Sequence, residues 1–287
     1  MIFQTFTFFV FCNKIDMNFL EDMMARVIVV TSGKGGVGKT TICANIGTSL
    51  ARAGLRVLLM DVDLGLNNLD VVMGVENKIV YDICDVIEGK CRPKQAIVQD
   101  FFLQTLYVMP SNHTYTNFNI SKEDIGNIIA DLEYMFDYIL IDCPAGIDIG
   151  FHRAVANASE AIVVTTPHIS SVRDADKVIG LLKSYNMSNI GLIVNRARGD
   201  LMLNGEMIAV DTIVEYLDCD LLGVVPDDDA ISTQLLIGGS VNIGSPAYKS
   251  FYMVTEKLHN GTNVVFDCTK KYRGVVGHIR KSLRRMV

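Results

Sequence analysis

The residues best equipped for chemistry lie in Thr31-Ser32-Gly33-Lys34-Gly35-Gly36-Val37-Gly38-Lys39-Thr40-Thr41. From Gly33 the spacing fits G-x-x-x-x-G-K-[ST], the pattern of a phosphate-binding loop. Glycines at Gly35, Gly36 and Gly38 let successive backbone N–H groups, including that of Val37, turn inward around phosphate oxygens. Lys39 would reach the β- and γ-phosphates and the Thr40 hydroxyl would sit on Mg²⁺, with Thr41 beside it. ATP and magnesium are the cofactors this implies. A second stretch, Tyr138-Ile139-Leu140-Ile141-Asp142, is an apolar run closing on an acid. That is the Walker B pattern, which places Asp142 for the metal-bound water.

These groups work only if regular elements hold them. Val27-Ile28-Val29-Val30 before the loop reads as a buried strand, and Ile42 to Ala51 after it as a helix. The helix N-terminus adds about half a positive elementary charge to the phosphate site. Further apolar strands are expected at Arg56–Asp61, Tyr107–Pro110, Ala161–Thr165, Ile190–Arg196 and Leu221–Val225. Helical spacing is expected at Ile125–Tyr134, from Ser170 onward, near Ala230–Ile237 and at Ala247–Leu258. Ser170 and Ser171 can cap the second of these, with acids in its first turn. Strand and helix alternating in this way predict an α/β fold, a P-loop NTPase-type parallel sheet covered by helices on both faces. The nucleotide then belongs at the carboxyl ends of the strands.

Lys34, with the run Lys-Gly-Gly-x-Gly-Lys-Thr-Thr, resembles the deviant Walker A motif of the MinD, ParA and nitrogenase-iron-protein class of ATPases. In that class the early lysine crosses a dimer interface, which would give Lys34 a role in trans; spacing alone shows an extra cation beside the phosphates. Asp61-Val62-Asp63-Leu64-Gly65-Leu66-Asn67-Asn68-Leu69-Asp70 resembles switch I of the MinD family, and Val72-Met73-Gly74-Val75 and Val80-Tyr81-Asp82 continue the likeness. The resemblance implies that Asp63 orients the attacking water and that Asp61 helps to organise the magnesium. Without it, two carboxylates at a strand end are ordinary turn residues. Asp142-Cys143-Pro144-Ala145-Gly146 is similar to switch II, with Cys143 read as a small core-facing residue. By the same resemblance Asn195 reads the adenine edge, with Arg196, Pro226 and Asp228 completing the base pocket. Ser171, Arg173 and Asp174 resemble the family's helix for docking partners, although a solvated amphipathic face is the plainer reading. The likeness covers about residues 25 to 260.

Composition narrows the class. The 287 residues are 49% hydrophobic, enough for one large α/β domain or two small ones, and no linker or repeat divides them. No apolar run approaches the roughly 20 residues that span a bilayer. The seven cysteines form no C-x-x-C pair, so neither a zinc site nor a disulfide framework is indicated, and reduced thiols are expected. A nitrogenase-type cluster, needing paired cysteines, has no support. The net charge of −6 hides an asymmetry: seven bases and no acid lie between Lys270 and Val287. Removing those seven from the 26 in the chain leaves 19 bases against 32 acids, so the first 269 residues are strongly acidic. Such a body argues against a nucleic-acid face and hence against a ParA-type DNA-segregation ATPase.

The basic end has a pattern of its own. On a helix at about 100° per residue, Val275, Val276, Ile279, Leu283, Met286 and Val287 share one sector, with His278 and the bases around the rest. That is a helix suited to the headgroup plane of an anionic membrane. Packing of this helix on the acidic body is the alternative. Three parts are therefore expected: residues 1–24 as a non-core extension, 25–266 as the ATPase domain and 267–287 as a membrane-targeting tail. The phenylalanine-rich start has neither the basic region of a secretory signal nor the composition of a transit peptide.

The family resemblance completes the expectation. It implies an ATP-dependent homodimer that positions the division septum of a cell or plastid. The dimer would bind membrane, recruit a MinC-type inhibitor and respond to a MinE-type activator, with slow turnover in the activator's absence. Its place would be the cytoplasmic face of the inner membrane, or the stroma and inner envelope of a plastid. A MinD-related flagellar-number regulator shares the loop and the tail and is the nearest rival.

Overall fold

The computed structural model describes residues 24–64, 68–111, 120–239 and 241–274. The start of the chain and the amphipathic tail from Val275, with its expected membrane residues, lie outside them, as does the middle of the switch I stretch.

Strands and helices alternate along the chain. Strand β1 (Arg26–Thr31) leads through the phosphate loop into helix α1 (Lys39–Arg52) and strand β2 (Val57–Asp61). Short helices α2 (Leu69–Met73), α3 (Ile83–Ile87) and α4 (Pro93–Ala96) precede the hairpin of β3 (Val98–Gln99) and β4 (Leu106–Met109). Then come α5 (Lys122–Leu132), β5 (Tyr138–Asp142), α6 (Ile149–Val155), β6 (Glu160–Thr165) and α7 (Ile169–Ser184). Strand β7 (Asn189–Ala197), α8 (Gly199–Met202), α9 (Val210–Leu217), β8 (Asp220–Pro226), α10 (Asp229–Ile237) and α11 (Pro246–Asn260) complete the order.

The eight strands form one sheet in the order β3-β4-β2-β5-β1-β6-β7-β8, with β1 inside it between β5 and β6. Every pairing is parallel except β3 with β4, so the expected parallel sheet carries one antiparallel edge. Side chains alternate across the strands. Val27, Val29, Leu58, Met60, Ile139 and Ile141 face one core, which α3 to α7 and α9 cover. Ile28, Val30, Val57, Leu59 and Leu140 face the other, beneath α1, α2 and α11. Burial on both faces explains why the strands read as unbroken apolar runs.

Two features tie the ends of the molecule. At the foot of the sheet, Arg26 forks onto Glu160 with Nε and Nη2 at 2.7 Å each, while Nη1 donates to the Tyr138 hydroxyl at 2.9 Å and the Leu258 carbonyl at 2.8 Å. Bidentate charge-assisted bonds of this kind join β1, β5, β6 and the end of α11. The chain after α11 packs onto Ala197 and Val224 through buried Cys268, and Tyr272 is buried as well. A Cβ on Gly199 would strike the Cys268 carbonyl, so this approach needs glycine. The boundary expected at residue 267 therefore falls too early, because residues up to Tyr272 belong to the packed body. The sequence missed them since 263–268 carries neither helical nor alternating pattern.

Candidate functional site

The carboxyl ends of β1, β2, β5 and β7 meet where the phosphate loop turns. Gly36 and Gly38 take positive φ values of 78° and 93°, the left-handed region in which glycine costs least. Parallel pairing sets Asp61 of β2 directly beside Asp142 of β5. Lys39 begins α1 and sends Nζ to Asp142 Oδ1 at 2.9 Å, with both side chains buried. Burial penalises the Lys39 ammonium, but the Asp142 carboxylate against it prevails and its pKa rises above the ordinary lysine value.

Carboxylates crowd this corner. Asp61 Oδ1 accepts from the Asp63 amide at 2.9 Å and Oδ2 from the Leu69 amide at 3.4 Å. Burial first, and the neighbouring Asp142 second, push the Asp61 carboxyl up to about 8 despite those bonds. Asp63 is half-buried, and burial raises its pKa against the lowering pull of Lys39. Cys143 is fully buried with its thiol pushed up to about 12 by that burial, as its core-facing reading required. Two aspartates and the Thr40 hydroxyl make the sparse oxygen set that magnesium takes when phosphates supply the rest. Among the described residues, no group of three or more His, Cys, Asp and Glu forms a self-sufficient metal cage.

The two loop lysines have different surroundings. Lys39 is buried, whereas Lys34 is exposed on the rim and donates to Ser170 Oγ at 3.3 Å. Gly33 packs so closely on the Asp174 backbone that a Cβ would collide with it. Helix α7 thus sits directly on the start of the phosphate loop, a contact between residues far apart in sequence.

The base-pocket candidates divide. A register shift in β7 between Val194 and Ala197, with Arg196 at φ 54°, turns Asn195 inward and leaves Arg196 exposed. Asn195 Nδ2 donates to the Val37 carbonyl at 2.7 Å, and its buried Oδ1 has no partner. Its amide was expected to donate and accept toward a base; one donor is spent on the loop, and the acceptor is the group left for a ligand. Pro226 ends β8, buried beside this strand end. Asp228 is engaged by backbone: Oδ1 accepts from the Ala230 amide at 3.1 Å and Oδ2 from the Ala247 amide at 2.8 Å. Its oxygens start two helices at this end of the sheet.

Helix α7 corrects a second reading. Its N-cap is His168, no acid lies in its first turn, and neither serine caps it. Ser171 is buried and bonded to the Thr166 hydroxyl at 2.9 Å, so it cannot present a docking surface. The reason is the helix period, which aligns Ser171 with Ala175, Val178 and Leu182 on the core face. Arg173 is exposed, and Asp174 pairs with Lys177 at 3.1 Å. Exposed Ile169 lies beside Arg173, and it and the exposed Ile147 and Ile149 had no signal in the sequence.

A phosphate loop at the crest of a parallel sheet, with a buried lysine, two strand-end aspartates and a second lysine at the rim, defines a P-loop nucleotide hydrolase of the deviant type. Residues 28–240 match the model of the CobQ/CobB/MinD/ParA nucleotide binding domain. The septum site-determining protein MinD of Bacillus subtilis (strain 168) is 54% identical over 210 residues, spanning 72% of this chain and 78% of its own. A MinC:MinD cell division complex from Aquifex aeolicus superposes with a TM-score of 0.77 at 40% identity, covering 84% of this chain and 97% of that one. MinD from Pyrococcus horikoshii, complexed with Mg-ADP, gives 0.73 at 30% identity over 84% and 98%. The chain belongs to the MinD family of septum site-determining ATPases. Division-site selection is its function, with ATP and Mg²⁺ as its cofactors.

Proposed function

We propose that this ATPase cycles between a monomer and an ATP-bound homodimer that rests on membrane through its basic tail. The observation that carries the reading is the division of labour between the lysines. Buried Lys39 serves its own nucleotide, and exposed Lys34 is free to reach across to a partner's. In this reading Lys39 exchanges Asp142 for the β- and γ-phosphates when nucleotide enters, which releases Asp142 for the metal together with Thr40 and Asp61. Magnesium supplies charge neutralisation of the transferring phosphoryl group. Backbone amides at Gly35, Gly36, Val37 and Gly38, with Thr41, cradle the phosphates. The unpartnered Asn195 Oδ1 suits an exocyclic amino group, with Arg196 and Pro226 forming the walls.

Asp63 is placed to orient water. Burial raises its pKa, and the carboxylates beside it, Asp61 and Asp142, are taken up by the metal in this reading, which supports slow turnover in the absence of an activator. Arg173 and Asp174 on α7, over the phosphate loop, are the surface for a MinE-type activator and a MinC-type inhibitor; the MinC:MinD complex of a relative supports the latter. Among the described residues no helix is long and apolar enough to cross a membrane, and peripheral attachment through the tail is the placement we infer.

The test separates the lysines. Lys39→Ala should abolish ADP and ATP binding. Lys34→Ala should bind both nucleotides as the parent does, yet fail to dimerise in ATP by light scattering. A Lys34→Ala protein that dimerises and hydrolyses ATP normally would remove the trans role.

A further inference from the structure

Beyond the nucleotide site, one buried polar cluster joins three elements that the mechanism treats separately. Asn45 lies in the middle of α1, one turn beyond Thr41, whose carbonyl accepts from Asn45 Nδ2 at 2.8 Å. The same nitrogen donates to Gln234 Oε1 in α10, also at 2.8 Å. Gln234 Nε2 in turn donates to the Gly239 carbonyl at 2.7 Å. The Gly239 amide then donates to the Val72 carbonyl of α2 at 3.1 Å. Asn45 and Gln234 are both almost wholly buried, 3% and 2% exposed. Every link is a hydrogen bond in a place where an unmade one is expensive.

Sterics close the cluster. Gly74 ends α2 at φ 66°, and Gly238 ends α10 at φ 71°. A Cβ on Gly238 would come within 3.0 Å of the Gly74 Cα, so the two helix ends touch backbone to backbone. The far ends of the same helices reach the site. The first amide of α2, Leu69, donates to Asp61, and α10 starts on Asp228 beside the base pocket. The phosphate-loop helix, the base-pocket helix and the helix that follows switch I are therefore joined through Gln234, α1 by its contact with Asn45 and α2 by way of the Gly239 backbone.

We propose that Gln234 is a positioning residue that latches α2 to α1 and α10, and so holds the Leu69 amide of α2 on the Asp61 carboxylate beside the phosphate loop. It touches no nucleotide; it acts through the Gly239 backbone and α2. The inference rests on the nucleotide reading above. A latch of this kind governs the hydrolytic step more than binding, because Lys39 and the loop glycines stay on α1 and its lead-in, whereas the Leu69 amide that engages Asp61 Oδ2 moves with α2 while Asp61 stays at the end of β2. Gln234→Met keeps volume and length but removes both bonds. Gln234→Glu keeps the acceptor for Asn45 and, when ionised, sets a carboxylate oxygen against the Gly239 carbonyl in place of the donor.

The experiment compares parent, Gln234→Met, Gln234→Glu and Asn45→Ala as full-length chains. Three readouts are taken: Mg-ADP affinity, kcat for ATP, and amide hydrogen exchange. The expected result is ADP affinity within about threefold of the parent, with kcat lowered at least tenfold in Gln234→Met. Exchange at Leu69, Val72 and Gly239 should quicken while β1 and β5 stay protected. Gln234→Glu should show the α2 effect even with its Asn45 contact kept. The Gln234→Met/Asn45→Ala double variant should be no worse than the poorer single variant, because both break one chain of bonds. Unchanged exchange at α2 would overturn the latch. So would an equal fall in ADP affinity and kcat, which general loss of folded protein would produce. If the parent itself neither bound nor hydrolysed nucleotide, the function reading would fall, and the exchange arm alone would decide the latch.

Discussion

Alanine substitutions at three loop glycines should have three different effects, because one position tolerates a side chain and the other two require glycine for different reasons. Gly35 has an ordinary φ and open space where a Cβ would stand, so Gly35→Ala should bind Mg-ADP within about twofold of the parent. Gly36 also has open space but a φ of 78°. An alanine there relaxes the loop when free, and binding must restore the strained turn at about 1–2 kcal/mol. That is a loss of roughly 5- to 30-fold in affinity. Gly38 adds a collision to its φ of 93°: a Cβ would strike Asn195 Nδ2. Moving Asn195 breaks its 2.7 Å bond to the Val37 carbonyl, worth about 1 kcal/mol more. Gly38→Ala should therefore lose roughly 30- to 150-fold, and combining it with Asn195→Ala should recover about fivefold of the additive expectation. Titration calorimetry with Mg-ADP keeps the measurement on the monomer. Equal losses at the three glycines, or strict additivity of Gly38→Ala with Asn195→Ala, would refute the steric argument.

Other outcomes follow from the same geometry. Asp63→Ala should bind Mg-ATP but lose activated hydrolysis by at least tenfold in a phosphate-release assay, leaving the ATP dimer on membrane; parental turnover would take Asp63 out of the reaction. Ile279→Glu or Leu283→Glu should abolish ATP-dependent sedimentation with anionic liposomes while ATP binding and dimerisation persist, since each tail binds weakly and dimerisation adds avidity; a variant that still pelleted would place the anchor elsewhere. Asp61 gives a pH effect whose sign is fixed. Its folded-state pKa of about 8 exceeds the unfolded value near 4, so the folded protein holds a proton that the unfolded chain releases. Stability should fall as pH rises from about 4 to 8, by up to about 1.4 kcal/mol per unit from this group. Urea unfolding in chelator without nucleotide should show that slope, and Asp61→Asn should flatten it.

The sheet interior was legible from sequence because strands buried on both faces are uninterrupted apolar runs, and Asp61 and Asp142 closed two of them. The phosphate loop was legible for the same reason: its spacing is local, and its neighbours had to be a strand and a helix. Two-residue β3 was not legible, because Val98–Gln99 is too short for alternation to register, and its turn depends on Asp100 accepting the Phe102 and Leu103 amides at 2.8 Å each. Ser171 was misread because a serine pair before a helix looks like a cap, whereas core periodicity decides which face it occupies. What no local pattern could supply were contacts made across the chain. Gly33 meets Asp174, and Asn45 meets Gln234 at a separation of 189 residues, through sterics and single hydrogen bonds rather than composition.

The position of β1 in the sheet has a consequence for biosynthesis. Its neighbours are β5 and β6, and Arg26 is separated by 112 residues from Tyr138 and by 134 from Glu160. A ribosome adding about 5–20 residues per second needs several seconds or more to cover that distance. Throughout that interval the Val27–Val30 run has both edges unpaired, and neither Asp142 nor the Glu160 anchor for Arg26 has been made. Hydrogen-bonding strands this remote is also intrinsically slow once they are available. The strand that opens the ATPase core thus waits longest for its neighbours, and the half-made chain presents the kind of apolar edge that holdase chaperones retain. Fragments ending before Tyr138 should require such help to stay in solution, and the nucleotide cannot template its own site until β5 has emerged.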